Sequence, residues 1–354
     1  MANFHSDLNE RFTHLGRFSY SRALPLALCA IVSLSVLRAS DRGTNGESNQ
    51  GWDYWQSEGE SLLLAGNYSA AADAFQTALH TAEEKHLNPQ VFAMLHDDFA
   101  AVYAEEGQFA KSEREFHQAM AIVEKTEGSQ SLDYSILMAR VALLPTHNDD
   151  RTDVIESLQK AIANHSANIS ERDLAIARDF LAKLFCSQSR YQEAEAALLD
   201  SESAIQTKGN LDLQVLAELL NDMGAIRNHQ QRYREAAEAE EEALRILGKE
   251  LGPENPALVV PLNNLATIYV HDGNPEQAEV TFQHSLDIAA KKLGKDHPTY
   301  AAVLLNYAAL LKKMGRKREG RKMDAEARQI MDESNRHNGV GMTVSVASLR
   351  SNPN

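Results

Sequence analysis

Residues 262–298 read LNNLATIYVHDGNPEQAEVTFQHSLDIAAKKLGKDHP, and this stretch decides the fold. Its first part spaces apolar residues as one face of an α-helix does, at Leu262, Leu265, Ala266 and Tyr269. The turn sequence DGNP follows at 272–275, and a second amphipathic helix pattern begins after it. These features predict a helical hairpin, which the connector LGKDHP at 293–298 separates from the next unit.

The same pattern recurs along the chain at a nearly constant spacing. A small residue near the end of the second helix gives steps of 41, 42, 40, 42, 42 and 42 residues, at Ala78, Ala119, Ala161, Ser201, Ala243, Ser285 and Ala327. A fixed period of this size predicts an array of stacked helical units. We expect a linker at 41–51, an array at 52–334 and a disordered tail at 335–354, with units near 52–92, 93–134, 135–174, 175–216, 217–258, 259–300 and 301–334.

The first unit carries the residue types that close helix packing requires. Aromatic residues at Trp55, Tyr68 and Phe75 fill the space between two helices, and Gly59 and Ala71 let the helices approach. This arrangement resembles the tetratricopeptide repeat (TPR). The resemblance implies an all-α fold, a right-handed superhelix (α-solenoid) of about seven TPR hairpins, and a role in protein–protein interaction.

The period distinguishes these units from ordinary TPR units of about 34 residues. The extra residues lie between units, in the connectors LGPENP at 251–256 and LGKDHP at 293–298. This long period resembles the kinesin-light-chain type of TPR. The third unit is degenerate, because Pro145 is expected to end its first helix and 146–150 to form an irregular turn.

Residues 1–40 lie outside the repeat pattern. Basic residues precede an uncharged run at 23–37, and Arg38 ends it. The run is shorter than the roughly 20 residues of a spanning helix and has the length of a secretory signal sequence. We expect a cleaved signal peptide or an uncleaved membrane anchor, and therefore a periplasmic, secreted or membrane-anchored protein. A cytoplasmic protein is the remaining alternative.

The composition and motifs exclude several functions. The net charge of −15 argues against nucleic acid, since phosphate binding needs clustered basic residues. Metalloprotease, serine-hydrolase, P-loop and dinucleotide-binding motifs are absent, and Cys29 and Cys186 do not have metal-site or redox spacing. We expect no enzyme activity, no metal and no cofactor. His271 and His297 flank turns and are expected to be exposed, as is the glutamate run at 238–242.

Polar residues on the first helices are the candidate partner-binding site. They lie one period apart where a solenoid has its concave face, at Asn221, Asp222, Asn263, Asn264 and Asn306. An amide can donate to and accept from the backbone of an extended peptide. Alternatively, these asparagines bond neighbouring helices and support repeat stacking.

The charges in the same rows bear on the partner. Acidic residues outnumber basic ones there, with Asp97, Asp98, Asp179 and Asp222 against Lys183 and Arg140. Such a groove would repel a terminal carboxylate, so a basic or neutral extended segment is the expected partner.

The seventh unit carries a basic cluster, which includes Lys312, Lys313, Arg316, Lys317, Arg318, Arg321 and Lys322. It is either the polar outer cap of the array or a docking surface for an acidic partner, a phospholipid surface or another copy.

The sequence therefore predicts a protein-binding scaffold. The alternative is a regulatory or assembly subunit of a membrane, secretion or enzyme complex that acts by self-association. The oligomeric state is not specified by the sequence.

Overall fold

A computed structural model of the chain describes residues 51–145, 151–164, 169–207 and 213–337. The predicted export segment at 1–40, most of the linker, the turn at 146–150 and nearly all of the predicted tail lie outside them. Within the described ranges the elements are α1 Trp52–Leu64, α2 Tyr68–Glu84, α3 Pro89–Glu105, α4 Phe109–Thr126, α5 Leu132–Leu143, α6 Thr152–Ala163, α7 Glu171–Ser187, α8 Tyr191–Thr207, α9 Leu213–His229, α10 Tyr233–Leu251, a 3-10 turn Pro256–Leu258, α11 Val259–His271, α12 Pro275–Lys292, α13 Pro298–Lys313 and α14 Lys317–His337.

The helices pair in sequence as seven hairpins, α1 with α2 through α13 with α14. Each second helix also packs on the first helix of the next unit. The first helices of most neighbouring units contact one another, which forms a continuous surface that we call the inner face. The predicted all-α solenoid is confirmed.

Helix starts follow from local capping. The Asn88 side chain accepts the backbone N–H of Val91, and Pro89 occupies the first turn of α3. Ser131 and Ser170 cap α5 and α7 in the same way. These caps place α3, α5 and α7 a few residues before the unit starts read from the sequence, and α5 ends before Pro145.

The position of Phe75 shows how each hairpin is filled. Phe75 is fully buried, and a Cβ at Gly59 would lie 2.5 Å from its ring, so only glycine fits there. Phe116 and Phe282 occupy the same position in units two and six. In unit five this position holds Glu240, which is 0% exposed. The prediction that the whole glutamate run is solvated was therefore wrong at Glu240, because the helix turns this one carboxyl inward.

The two ends of the array contact one another. The turns of units one and two meet the connectors that follow units five and six, in a contact that we call the seam. A Cβ on Gly66 would lie 2.9 Å from the Pro256 ring and 3.4 Å from the Leu293 side chain. Turns within units and connectors between units lie on opposite edges of a solenoid of antiparallel hairpins. The seam therefore joins the two edges, as happens when a superhelix completes a turn.

Candidate functional site

The predicted asparagines form a ladder along the inner face. The Asn264 side chain donates to Asn221 Oδ1 at 3.0 Å, and the Asn306 side chain donates to Asn263 Oδ1 at 2.9 Å. Each bond joins first helices of neighbouring units. Asn221 and its hydrogen-bond partner Asp222 are buried, with 8% and 3% exposure. Asn263, Asn264 and Asn306 are only partly buried, so the ladder reaches solvent in units six and seven.

The acidic residues of the inner face are buried and paired. Asp97 and Arg140 form an ion pair at 2.6 Å between α3 and α5. Lys183 contacts Asp179 on its own helix and lies 3.2 Å from Asp222 on the next first helix. The expectation that these carboxylates line an open groove was therefore wrong, since the neighbouring first helices enclose them.

Burial dominates the titration of these groups. It raises the pKa of Asp97, and the Arg140 charge and hydrogen bond oppose this shift. Burial likewise raises the pKa of Asp179, which the Lys183 ammonium opposes and the Asp222 carboxylate reinforces. A carboxyl whose pKa rises despite a cationic partner costs free energy when it ionises.

A cavity of about 50 Å³ lies beside this network. Its polar wall comes from the first helices of units four and five and includes Lys183, Glu218 and Asp222. Its apolar wall comes from α10, the following connector and α11, at Leu247, Leu251, Ala257, Val260 and Pro261. Leu64 of unit one completes the lining from across the seam.

His297 fixes the seam beside this cavity. Its Nδ1 accepts the backbone N–H of Thr299 at 3.1 Å, so the proton of the neutral ring is on Nε2. The Nε2–H group donates to the backbone carbonyl oxygen of Glu105, and Nε2 lies 2.7 Å from that oxygen. The ring also stacks on Tyr68 at 5.9 Å between centroids. His271 is exposed as predicted, but the prediction was wrong for His297, which the seam partly buries.

Burial shifts the pKa values of the seam groups. It lowers the pKa of His297, against the effect of the Glu105 carbonyl, and raises the pKa of Glu105 to about 7. It also raises the pKa of Tyr68, with the carboxylates of Glu105 and Glu106 acting in the same direction. The closed seam thus favours the uncharged forms of both His297 and Glu105.

Two members of the basic cluster of unit seven form ion pairs within the array. Arg316 bonds Glu279 at 2.5 Å and Glu319 at 2.7 Å, and Lys312 lies 3.4 Å from Asp324. The other members are exposed: Lys313, Lys317, Arg318, Arg321 and Lys322. The surface available to a partner is therefore on the first turns of α14 and the end of α13.

Sequence reasoning gave Leu64 and Glu105 no role, took Gly66 only as a turn glycine and placed Glu240 on the solvated face. Glu240 was detectable, because it lies one period from Phe282 at an aromatic position. Within the described ranges there is no group of His, Cys, Asp and Glu side chains that could hold a metal ion. None of the helices in those same ranges is long and apolar enough to cross a membrane.

Comparison with known proteins agrees with this architecture. The sequence profile of the family described as Tetratricopeptide repeat matches residues 215–291 and 259–333. No curated protein matches the sequence.

Two solved structures with TM-scores above 0.5 show the likeness of fold, and a third gives a lower score. A Rap protein complexed with Competence and Sporulation Factor aligns with a TM-score of 0.59 and 15% identity, over 80% of this chain and 76% of its own. NprR in complex with its cognate peptide NprX gives 0.54 and 13%, over 82% and 86%. Kinesin-light-chain TPR-like repeats from Podosopora anserina give 0.46 and 20%, over 59% and 99%.

These findings identify the chain as a helical-repeat protein of the α-solenoid class. More specifically, the Tetratricopeptide repeat profile matches units five to seven, within residues 215–333, which agrees with the resemblance predicted from the sequence.

Proposed function

We propose that this TPR array is a non-enzymatic scaffold that binds an extended segment of a partner protein along its inner face. The observation that carries the proposal is the asparagine ladder. Asn263 and Asn264 are adjacent, Asn306 lies one repeat further along the chain, and all three are only partly buried. A polar ladder that reaches solvent on the inner face offers repeated contacts to one extended chain.

The chemistry of the amide supports peptide binding. An asparagine side chain has two N–H donors and a carbonyl oxygen with two acceptor positions. The bond from Asn306 to Asn263 uses one donor of the first residue and one acceptor position of the second. The remaining positions suit the alternating N–H and C=O groups of an extended backbone. The ladder bonds would hold the amides in orientation while those positions contact a partner.

The structural relatives support the same class of ligand. The NprR structure contains a cognate peptide, and the Rap structure contains Competence and Sporulation Factor. Their likeness to this chain is one of fold, so the ligands of this chain must be found independently.

Alanine variants of the full chain test the proposal. Asn306→Ala and Asn264→Ala should each remove a partner recovered by affinity purification and mass spectrometry. The matched control is Asn228→Ala, because Asn228 bonds His271 at 2.8 Å and so also joins the first helices of units five and six. Equal partner recovery from all three variants, with a melting temperature lowered only in the ladder variants, would assign the asparagines to stacking instead.

The exposed basic cluster favours a second candidate function, assembly onto an acidic surface. Lys317, Arg318, Arg321 and Lys322 are the residues to reverse, because Arg316 already binds Glu279 within the array. The quadruple change to Glu should abolish salt-sensitive association with an acidic partner or another copy. Association that persists at low salt would remove this candidate.

The proposed compartment lies beyond the cytoplasmic membrane. Support comes from the uncharged run at 23–37 and its basic flanks. A reporter that is active only outside the cytoplasm, fused to the C-terminus of the chain, should give signal. Deletion of 23–37 should silence it, and a silent full-length fusion would contradict export.

A further inference from the structure

The cavity on the inner face is built by two separate parts of the array. Its walls belong to units four, five and six, whereas Leu64 comes from unit one and reaches it only because the seam is closed. Leu64 is partly exposed and lies at the end of α1. The seam, and not the stacking of neighbouring repeats, therefore places the aliphatic side chain of Leu64 at the cavity.

We propose that this cavity is an anchor site for an aliphatic side chain of the bound segment, with a Lys or Arg of that segment beside it, and that Leu64 occupies its mouth while the seam is closed. This inference rests on the proposed function and names the side chains that the inner face selects.

The apolar wall determines the first part of this specificity. Leu247, Leu251, Ala257, Val260 and Pro261 present only hydrocarbon side chains to the cavity. A polar side chain inserted against them would lose its hydration without gaining a hydrogen bond. The cavity is small, so it fits an unbranched or γ-branched aliphatic side chain better than an aromatic ring. Leu64 shows that an aliphatic group can reach this position.

The polar wall determines the second part. Its charged groups are two carboxylates, Glu218 and Asp222, and one ammonium, Lys183. Lys183 is already held between Asp179 and Asp222. The wall has one more carboxylate than ammonium groups, and Glu218 is the less buried of its two carboxylates. This net negative charge favours a cationic residue in the segment and disfavours an acidic one.

The seam can release Leu64 without unfolding a repeat. Its contacts are the His297–Glu105 hydrogen bond, the His297–Tyr68 stack and the packing of Gly66 on Pro256 and Leu293. Tyr68 and Leu293 also pack at the edges of the repeat cores, but the seam contacts themselves join units that are not neighbours in the array. Opening would move units one and two away from the connectors and leave the cavity accessible. Closure and binding of the segment are therefore competitive.

Peptide selection on the full chain tests the site. Binding peptides are selected from a phage library of random dodecapeptides on the wild type, Leu64→Ala and Ala257→Leu. Ala257 lies partly exposed in the connector after α10, and a leucine there should reduce the volume of the cavity. Val280→Ala is the control for Leu64→Ala, since Val280 is an aliphatic residue with 66% exposure that does not line the cavity. Melting temperatures confirm that each variant is folded.

We expect selected peptides to share an aliphatic residue adjacent to Lys or Arg. Their affinity should rise about threefold to tenfold in Leu64→Ala, because the competing side chain is gone, and fall about tenfold in Ala257→Leu. Val280→Ala should match the wild type.

Three results would overturn the inference. Peptides that need Asn306 but tolerate Ala257→Leu would remove the anchor site and leave the proposed function intact. Weaker binding to Leu64→Ala would make Leu64 part of the site rather than its competitor. Failure of every variant to select peptides would contradict the proposed function as well as the anchor site.

Discussion

His297 and Glu105 lie 192 residues apart in the sequence, yet the imidazole of the first donates to the backbone carbonyl of the second at 2.7 Å. His297 caps α13 through its other ring nitrogen, and Glu105 ends α3. One side chain thus joins the beginning of unit seven to the turn of unit two. The array is closed by this bond rather than open along its length.

Removal of the His297 ring should open the seam. His297→Ala loses the hydrogen bond to Glu105, the cap on Thr299 and the stack on Tyr68, which together stabilise the fold by about 2–4 kcal/mol. We expect a larger radius of gyration by small-angle X-ray scattering and a lower melting temperature. The matched control is His271→Ala, because His271 packs against Tyr233 and bonds Asn228 but only within the array. Identical scattering from both variants would show that His297 does not hold the seam.

His297 and Glu105 should change the stability of the closed array in opposite directions as pH rises. The pKa of His297 is lowered from 6.5, so its contribution is present above 6.5 and is lost as pH falls through the lowered value. The pKa of Glu105 is raised from 4.5 to about 7, so its contribution is present below 4.5 and is lost as pH rises through about 7. The Glu105 effect extends from 4.5 to about 7 and the His297 effect lies below 6.5, so the two slopes oppose each other below 6.5. Stability should therefore fall with rising pH between 6.5 and about 7, where only Glu105 acts.

Glu105→Gln separates these two effects. At pH 8 it should raise stability by about 2 kcal/mol, after a discount for the partial exposure of Glu105, because no carboxyl then ionises at the seam. The loss at acid pH that His297 causes should then appear without the opposing effect of Glu105. Melting temperatures from pH 5 to 8.5 measure both limbs, and a parallel profile for Glu105→Gln and the wild type would contradict this assignment.

The hairpins could be predicted from the sequence because their determinants are local. Apolar spacing, turn glycines and the recurring small residue at Ala78 to Ala327 all act within one unit. The seam could not be predicted in this way. Contact between Tyr68 and His297 depends on the small rotation at each repeat, which accumulates over five units and leaves no pattern in the sequence.

The inner face was predicted in part for a related reason. The asparagine rows follow from the period of the repeat. The ladder bonds agree with the second role considered, in which the asparagines bond neighbouring helices. Burial of Asp97 and Asp179 did not follow, because a polar residue on a first helix can face either the groove or the adjacent first helix. That choice depends on how closely neighbouring units stack.

Removal of only one partner of the Asp97–Arg140 ion pair should lower the free energy of unfolding more than replacement of both partners. Both side chains are 1% exposed, and the guanidinium lies 4.9 Å from the centre of the Phe116 ring. Arg140→Ala leaves a buried carboxyl without its cation and should cost about 3–5 kcal/mol, more at high pH because Asp97 then ionises. The double variant Asp97→Leu with Arg140→Met should regain most of this loss in chemical denaturation. Equal losses in the single and double variants would contradict this account.

Replacement of the buried Glu240 by an apolar residue should stabilise the protein. Burial raises the pKa of this carboxyl well above its usual range, an effect that the Asn264 side chain opposes and the Asp222 carboxylate reinforces. A raised pKa means that stability is lost as pH rises through it, so at neutral pH the group destabilises the fold. Glu240→Met places an unbranched apolar side chain against Gly224 and should gain about 1–3 kcal/mol, with a larger gain at higher pH.

The control for Glu240 is Glu238→Met, on the exposed face of the same helix, which should change stability by less than about 0.5 kcal/mol. Glu240→Gln should remove the pH dependence, because the amide does not ionise. A lower melting temperature for Glu240→Met alone would mean that the contact between Glu240 and Asn264 outweighs desolvation. In that case the carboxyl orients an amide of the ladder, and partner binding should fall in the same variant. A gain in stability with unchanged binding would instead mark Glu240 as a polar substitution at an aromatic position of the repeat.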